Sequence, residues 1–116
     1  MCQRYYVRER TCRDEFLSAL IDARSDLDMP PGIADEVKTK GHDAVVALAR
    51  PEWEQDSQPP RINAICTAIA TRTPAAQVGR LLAEGDTCAA TTDCTAFATC
   101  AVAAQRSYIA SGAGPH

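Results

Sequence analysis

Residues 88–110 read CAATTDCTAFATCAVAAQRSYIA and hold three of the six cysteines at equal spacing, at positions 88, 94 and 100. Only Asp93 and Arg106 are charged in this stretch. The pattern predicts a cap followed by a long helix that is apolar or small on nearly every side. Because such a helix is buried on several sides, we expect it to form the internal layer of the fold.

The chain before this stretch reads as amphipathic helices separated by turns that contain proline or glycine. Apolar residues at helical spacing predict a first helix over 3–27 and a third over 61–72. Glu9 interrupts the apolar stripe of the first helix, so we expect it to lie near a helix end or to face a polar partner. Residues Thr73 and Pro74 open a fourth, short helix.

A second predicted helix runs from residue 33 to about residue 50. Its apolar stripe passes through Gly41, which permits a break, but the unbroken helical phase favours a single helix. Pro51 is expected to end this helix or to open a short turn, and Gly85 to end the fourth helix. The apolar stripe of this second predicted helix consists of Ile33, Val37, Gly41, Ala44 and Leu48.

No alternating pattern typical of strands is present, so the predicted fold class is all-α. We expect a compact bundle of four or five helices stapled by disulfides, as a single domain over 1–110, with 111–116 as a flexible C-terminal tail. Alanine supplies 21 of the 116 residues and aromatic residues only six. Alanine side chains bury little area, and buried apolar area contributes ~25 cal/mol per Å². Disulfides, at typically ~2–4 kcal/mol each, are expected to supply the missing stability.

An even number of cysteines in a short chain is typical of proteins from oxidising compartments. Sequence alone leaves their pairing open, although two cysteines ten or six residues apart on one helix are too distant to bond each other. The favoured arrangement ties the first helix to the third helix through Cys66 and to the last helix through Cys100. Cys88 and Cys94 would then close the turn before the last helix. The disulfide candidates are Cys2, Cys12, Cys66, Cys88, Cys94 and Cys100.

The cellular location is expected to be exported, that is periplasmic, cell-surface or extracellular. The first ten residues, MCQRYYVRER, lack the apolar segment of a signal peptide, which fits a mature fragment with an added initiator methionine. Cys2 at this position permits a lipid anchor, but half of a disulfide is the favoured interpretation. No run approaches the ~18–20 apolar residues that span a bilayer.

The C-x9-C spacing of Cys2 and Cys12 resembles one arm of the coiled-coil–helix proteins, which staple two antiparallel helices with twin C-x9-C motifs. The other arm here reads C-x5-C-x5-C, and its helical spacing of ~9 Å does not align with one of ~15 Å. The whole chain resembles small cysteine-rich exported bacterial helical proteins, often lipoproteins. That resemblance implies an exported helical fold and no particular activity.

Several function classes lack their signatures. A net charge of −3 gives no electrostatic case for nucleic acid or an anionic membrane. No motif of hydrolases, nucleotide-binding or zinc-dependent enzymes is present, and no enzyme activity or cofactor is expected. Zinc sites usually use C-x2–4-C pairs or nearby histidines, yet there is no CxxC, His116 is terminal, and His42 is expected to be exposed beside Asp43.

The favoured function is a non-catalytic structural or protein-interaction module, an accessory subunit of an exported assembly that binds a protein partner or itself. Residues 61–116 carry seven charged side chains against twenty in residues 1–60, so the second half is either the internal layer, which is favoured, or a surface that a partner covers. The alternative is a soft-metal-binding or thiol-redox protein that uses Cys88, Cys94 and Cys100. For Tyr5, Tyr6 and Trp53, a position in the core is the alternative to an interaction role. The interaction candidates are Tyr5, Tyr6, Trp53, Val102 and Ile109.

Overall fold

A computed structural model of the chain describes residues 2–72, 83–91 and 93–110, except the side chains of residues 107 and 108. The all-α prediction is confirmed, since these residues form helices and turns and include no strand. The radius of gyration is 13.9 Å, close to the ~13 Å of a compact chain of this length. The predicted tail, 111–116, and the predicted start of the fourth helix at Thr73 and Pro74 lie outside the described residues.

The described residues contain seven helices rather than four or five, because the first and second predicted helices are each divided. None of these helices is long and apolar enough to cross a membrane. The helices are α1 (Cys2–Thr11), α2 (Arg13–Leu27), α3 (Ile33–Lys40), α4 (His42–Asp56), α5 (Pro59–Arg72), α6 (described over 83–89) and α7 (Cys94–Ala110).

The first division falls at Cys12, whose backbone leaves helical geometry with φ −102° and ψ 28°. Hydrogen bonds still bridge the division, since the Cys12 amide donates to the Arg8 carbonyl and the Phe16 amide donates to the Cys12 carbonyl, both at 2.9 Å. Backbone hydrogen bonds therefore still connect the two helices across the division. The two helices keep the single apolar face that the sequence predicts.

The second division falls at Gly41, and the prediction of one helix through this position is wrong. Gly41 has φ +93°, in the left-handed region that glycine enters without steric cost. The backbone conformation requires glycine here. Crowding does not, because a Cβ at this position would meet no atom within 4 Å. The break rotates the start of α4 relative to α3, which moves its buried face from the predicted stripe to Val45 and Trp53. Leu48, on the predicted stripe, is 61% exposed.

The predicted ends at Pro51 and Gly85 are also wrong. Pro51 lies inside α4, which continues to Asp56 because Trp53 anchors its last turns in the core. Gly85 lies inside α6, where a Cβ would sit 3.7 Å from the ring of Tyr5. This glycine therefore lies in ordinary contact distance of α1 and does not end the helix.

The core is centred on α2 and α7, which share the most extensive helix interface of the described elements. As predicted for an internal layer, Phe97 and Ala101 of α7 have no exposed surface. The residue that caps this helix is Asp93, which accepts a hydrogen bond from the Ala96 amide at 2.7 Å. A smaller apolar cluster between α2, α3 and α4 consists of Ile21, Ile33 and Val45. The main cluster contains Tyr5, Cys12, Phe16, Leu17, Leu20, Ala23, Trp53, Cys88, Phe97, Ala98, Ala101, Val102 and Ile109.

Candidate functional site

Three disulfides join the helices. Cys2–Cys66 ties α1 to α5, with a Cα–Cα distance of 5.8 Å. Cys12–Cys94 ties the junction of α1 and α2 to the first residue of α7, at 5.1 Å. Cys88–Cys100 ties α6 to α7, at 5.4 Å. The bonds therefore fasten four helices and one helix junction to each other.

The predicted ties between helices are correct, but two of the predicted partners are exchanged. Cys66 bonds to the first predicted helix as expected, whereas the tie to the last helix uses Cys94 in place of Cys100. Cys100 bonds instead to Cys88. The reason is helical rotation, because residues six apart lie ~240° apart around a helix. Cys94 and Cys100 therefore face different neighbours.

The alternative function required free thiolates at positions 88, 94 and 100. All three sulfurs are held in disulfides, and the described part of the chain contains no free cysteine. The same residues contain no group of three or more histidine, cysteine or acidic side chains arranged to hold a metal ion. In this oxidised form the cysteines act as cross-links.

A buried carboxyl group lies at the meeting point of α1, α4 and α7. Glu9 is only 4% exposed, and its Oε2 accepts a hydrogen bond from Gln105 Nε2 at 3.2 Å. Gln105 Nε2 also donates to the Tyr5 hydroxyl. The side chains of Tyr5 and Trp53 complete the hydrogen bonding around Glu9. The prediction that Glu9 faces polar partners is confirmed.

Burial controls the protonation of this cluster. Desolvation raises the pKa of Glu9 to about 8, against the opposing effect of hydrogen bonds from Tyr5, Gln105 and Trp53. Burial and the nearby Glu9 carboxyl likewise raise the pKa of the Tyr5 hydroxyl. Near neutral pH the folded protein therefore holds Glu9 largely uncharged. Because solvent hardly reaches it, the group joins three helices and does not face a substrate.

A surface cleft of ≈ 290 Å³ lies between α2 and α4. Asp14 and Arg50 form an ion pair at one part of it, with 2.7 Å between Arg50 Nη2 and Asp14 Oδ1. The side chains that line the cleft are Asp14, Ser18, His42, Asp43, Val46, Ala47 and Arg50.

His42, the first residue of α4, lies beside this cleft and contacts α2. Its Nε2 lies 3.0 Å from the Ser18 carbonyl oxygen and 3.1 Å from Asp22 Oδ1, while its Nδ1 lies 3.0 Å from Asp43 Oδ1. Its side chain is 28% exposed, so the predicted exposure beside Asp43 is only partly correct. The hydrogen bond to the Ser18 carbonyl, that to Asp43 and the charge of Asp22 raise the pKa of the imidazole.

Four of the five interaction candidates are core residues. Tyr5, Trp53, Val102 and Ile109 are at most 9% exposed and belong to the main apolar cluster, so a partner cannot reach them in this fold. Tyr6 is half-buried and packs edge-on against Tyr5, with 5.1 Å between ring centroids. The rings are buried because they fill the spaces between helices: Tyr5 of α1 packs against Phe97 of α7, with 5.8 Å between ring centroids, and Trp53 of α4 packs against Phe16 of α2, at 6.2 Å.

The exposed apolar side chains lie elsewhere and were missed. Val7 of α1 is 56% exposed and Leu48 of α4 is 61% exposed. Sequence periodicity assigned Leu48 to the buried stripe, and only the break at Gly41 turns it outward. The outward face of α7 consists mostly of small side chains and carries one charge. Its exposed residues are Thr95, Ala96, Thr99, Ala103, Arg106 and Ala110.

Comparison of the chain with protein-family models, curated proteins and solved structures gives no match. The assignment of function therefore depends on the chain's own residues.

Proposed function

We propose that this chain is a non-catalytic structural or protein-interaction module, an accessory subunit of an exported assembly. The observation that carries the proposal is that all six cysteines join helices in three disulfides. A chain built this way uses sulfur for rigidity rather than for thiol chemistry. The buried Glu9 cluster serves the same purpose, since it joins three helices and has almost no exposure.

The same bonds support an exported location. Disulfides form and persist in the periplasm, at cell surfaces and outside cells, and are rare in reducing compartments. The sulfur of Cys2 is bonded to Cys66 and is not free to carry a lipid in this form. The proposal therefore places the protein in an exported assembly without a lipid anchor at Cys2. The resemblance to small cysteine-rich exported bacterial proteins supports the same location.

The outward face of α7 is the surface we assign to the contact. This face is small-residue-rich, so a partner helix or strand can approach its backbone closely. Only Arg106 is charged among its exposed residues, and a partner loses little hydration energy when it covers uncharged groups. The hydroxyl of Thr99 already donates to the Thr95 carbonyl at 3.1 Å, so covering it leaves no unsatisfied donor. The opposite face of α7 packs into the core and holds the surface rigid.

Site-specific photo-crosslinking tests this assignment. With a photoreactive amino acid at position 103, on the outward face of α7, irradiation of the host cells is expected to give one discrete adduct to a partner or to a second copy. The matched control carries the same amino acid at position 26, which is exposed on α2, and is expected to give none. Adding excess purified native protein to a cell extract is expected to suppress the adduct, whereas the Ala103→Glu protein does not. Equal labelling from both positions, or none from position 103, contradicts the proposal.

A further inference from the structure

The two ring nitrogens of His42 face only hydrogen-bond acceptors. A carbonyl oxygen and a carboxylate oxygen lie next to Nε2, and a carboxylate oxygen lies next to Nδ1. Neutral imidazole has one N–H donor, whereas the imidazolium cation has two. Only the cation satisfies both contacts at once. The geometry itself therefore selects the charged form.

The charged groups around the ring also favour the cation. Asp22 of α2 and Asp43 of α4 are the acidic groups within reach of the nitrogens. On the α3 side, Lys40 is engaged with Glu36, with 3.4 Å between Nζ and Oε1. Farther along the cleft, the charges of Asp14 and Arg50 are paired with each other. The charged groups that face the His42 ring are therefore negative, which favours the imidazolium.

His42 holds a part of the fold that has its own small core. Only Ile21, Ile33 and Val45 form the buried cluster between α2, α3 and the start of α4. Val46 of α4 packs against both this cluster and the main core, and Trp53 joins the main core at the far end of α4. The α3–α4 junction at Gly41 is itself a break with left-handed backbone geometry. This end of the fold is therefore held by fewer buried apolar side chains than the interface of α2 with α7.

We propose that His42 is a pH-sensitive latch: as the imidazolium it fastens the start of α4, and α3 before it, to α2 through the Ser18 carbonyl and Asp22, and the loss of its charge weakens this tie so that this end of the fold opens more often. The tie between the helices is weakened rather than removed. The neutral ring with its proton on Nε2 still donates to the Ser18 carbonyl of α2, but it no longer carries the positive charge that pairs with Asp22, and the lone pair on Nδ1 then faces Asp43 of its own helix. The small apolar cluster, with the partly buried Val37, Val46 and Ala49 packed against it, is then fastened by a weaker polar tie.

The direction of the effect follows from linkage. The pKa of His42 in the folded protein is raised above its ordinary value of 6.5. The latch's contribution is therefore complete below that value and is lost as pH rises through the higher pKa of the folded state. An exported protein that passes between mildly acidic and mildly alkaline surroundings would open and close this end.

Hydrogen exchange followed by mass spectrometry tests the latch in the intact oxidised protein. After correction for intrinsic exchange rates, protection of residues 33–48 is expected to fall ~10-fold or more between about pH 5.5 and pH 8.5, relative to the amides of α7. The native residue at position 42 and each variant are compared in a Glu9→Gln background, so that the pH-dependent loss of global stability through Glu9 does not change the α7 reference. Constant relative protection across this range overturns the proposal.

Three variants assign the effect to His42. In His42→Gln, which cannot become charged, relative protection of residues 33–48 is expected to be low and independent of pH. His116→Gln removes the only other histidine and is expected to behave like the native protein. Asp22→Asn keeps the imidazole and is expected to shift the opening to lower pH, which an NMR titration of the His42 ring measures directly. A pH dependence that persists in His42→Gln, or that disappears in His116→Gln, rules the latch out.

Discussion

Replacing Cys12 and Cys94 together by alanine is expected to lower the free energy of unfolding by about 4.5 kcal/mol, the value that chain entropy gives for a separation of 82 residues. The bond ties the junction of α1 and α2 to the start of α7, so it closes the core at its most extensive helix interface. Cys12 also has no exposed surface, and truncating it leaves a void beside the aromatic core. Urea unfolding followed by the fluorescence of Trp53, the only tryptophan, measures the loss.

The matched control is the double alanine variant at Cys2 and Cys66. Its separation of 64 residues gives nearly the same chain-entropy value, about 4.3 kcal/mol, so loop length does not distinguish the two pairs. The place of each bond in the fold does distinguish the two pairs, because α5 packs chiefly on α1 and lies outside the main core. We expect this variant to lose exchange protection in α5 and to keep most of its main unfolding transition. If the Cys12 and Cys94 variant retains native stability, the role assigned to this disulfide is wrong.

Raising the pH from about 4.5 to about 8 is expected to destabilise the protein by several kcal/mol through Glu9. In this interval the folded state holds a proton on Glu9 that the unfolded chain has released. Stability therefore falls by about 1.4 kcal/mol for each pH unit. The contribution is complete below the pKa of the unfolded carboxyl and is lost as pH rises through the folded value. Urea midpoints measured at several pH values follow this loss.

The variant Glu9→Gln separates this effect from every other titration. Glutamine keeps the size of the side chain and an acceptor for Gln105, but it carries no titratable proton. We expect its stability to exceed that of the native protein above about pH 8 and its pH dependence to be much flatter, with His42 supplying what remains. Glu15→Gln, at an exposed position of α2, is the control and is expected to keep the native pH dependence. An unchanged pH profile in Glu9→Gln would contradict the assignment.

The fold class was predictable because its signals are local. Apolar residues at helical spacing predicted most of the helices but neither their divisions nor the continuation of two of them past Pro51 and Gly85. The sparsely charged stretch before Ala110 correctly predicted an internal helix. Glu9 was identifiable as well, since a carboxylate on a buried stripe requires polar partners. The break at Gly41 was not predictable from phase, because glycine is compatible both with a helix contact and with a left-handed turn. Its consequence was large, since it moved Leu48 from the predicted core to the surface.

The sites were less predictable because they depend on how the helices are placed relative to each other. Periodicity located Cys94 and Cys100 on one helix but could not say which neighbour each one faces. Likewise, the contact between His42 and the Ser18 carbonyl joins residues 24 apart in the sequence and exists only after α4 packs on α2. Trp53, which follows the helix end predicted at Pro51, reaches the Glu9 cluster for the same reason.

Thermal unfolding of the purified chain with and without dithiothreitol tests the central claim, that disulfides between helices hold together a core in which alanine is abundant. Three bonds at typically ~2–4 kcal/mol each equal a large share of the ~5–15 kcal/mol by which a domain is stable. We therefore predict that the reduced chain, verified by a mass gain of six hydrogens, either melts at least ~20 °C lower or shows no cooperative transition. The same melting temperature for the oxidised and the reduced chain would contradict the account.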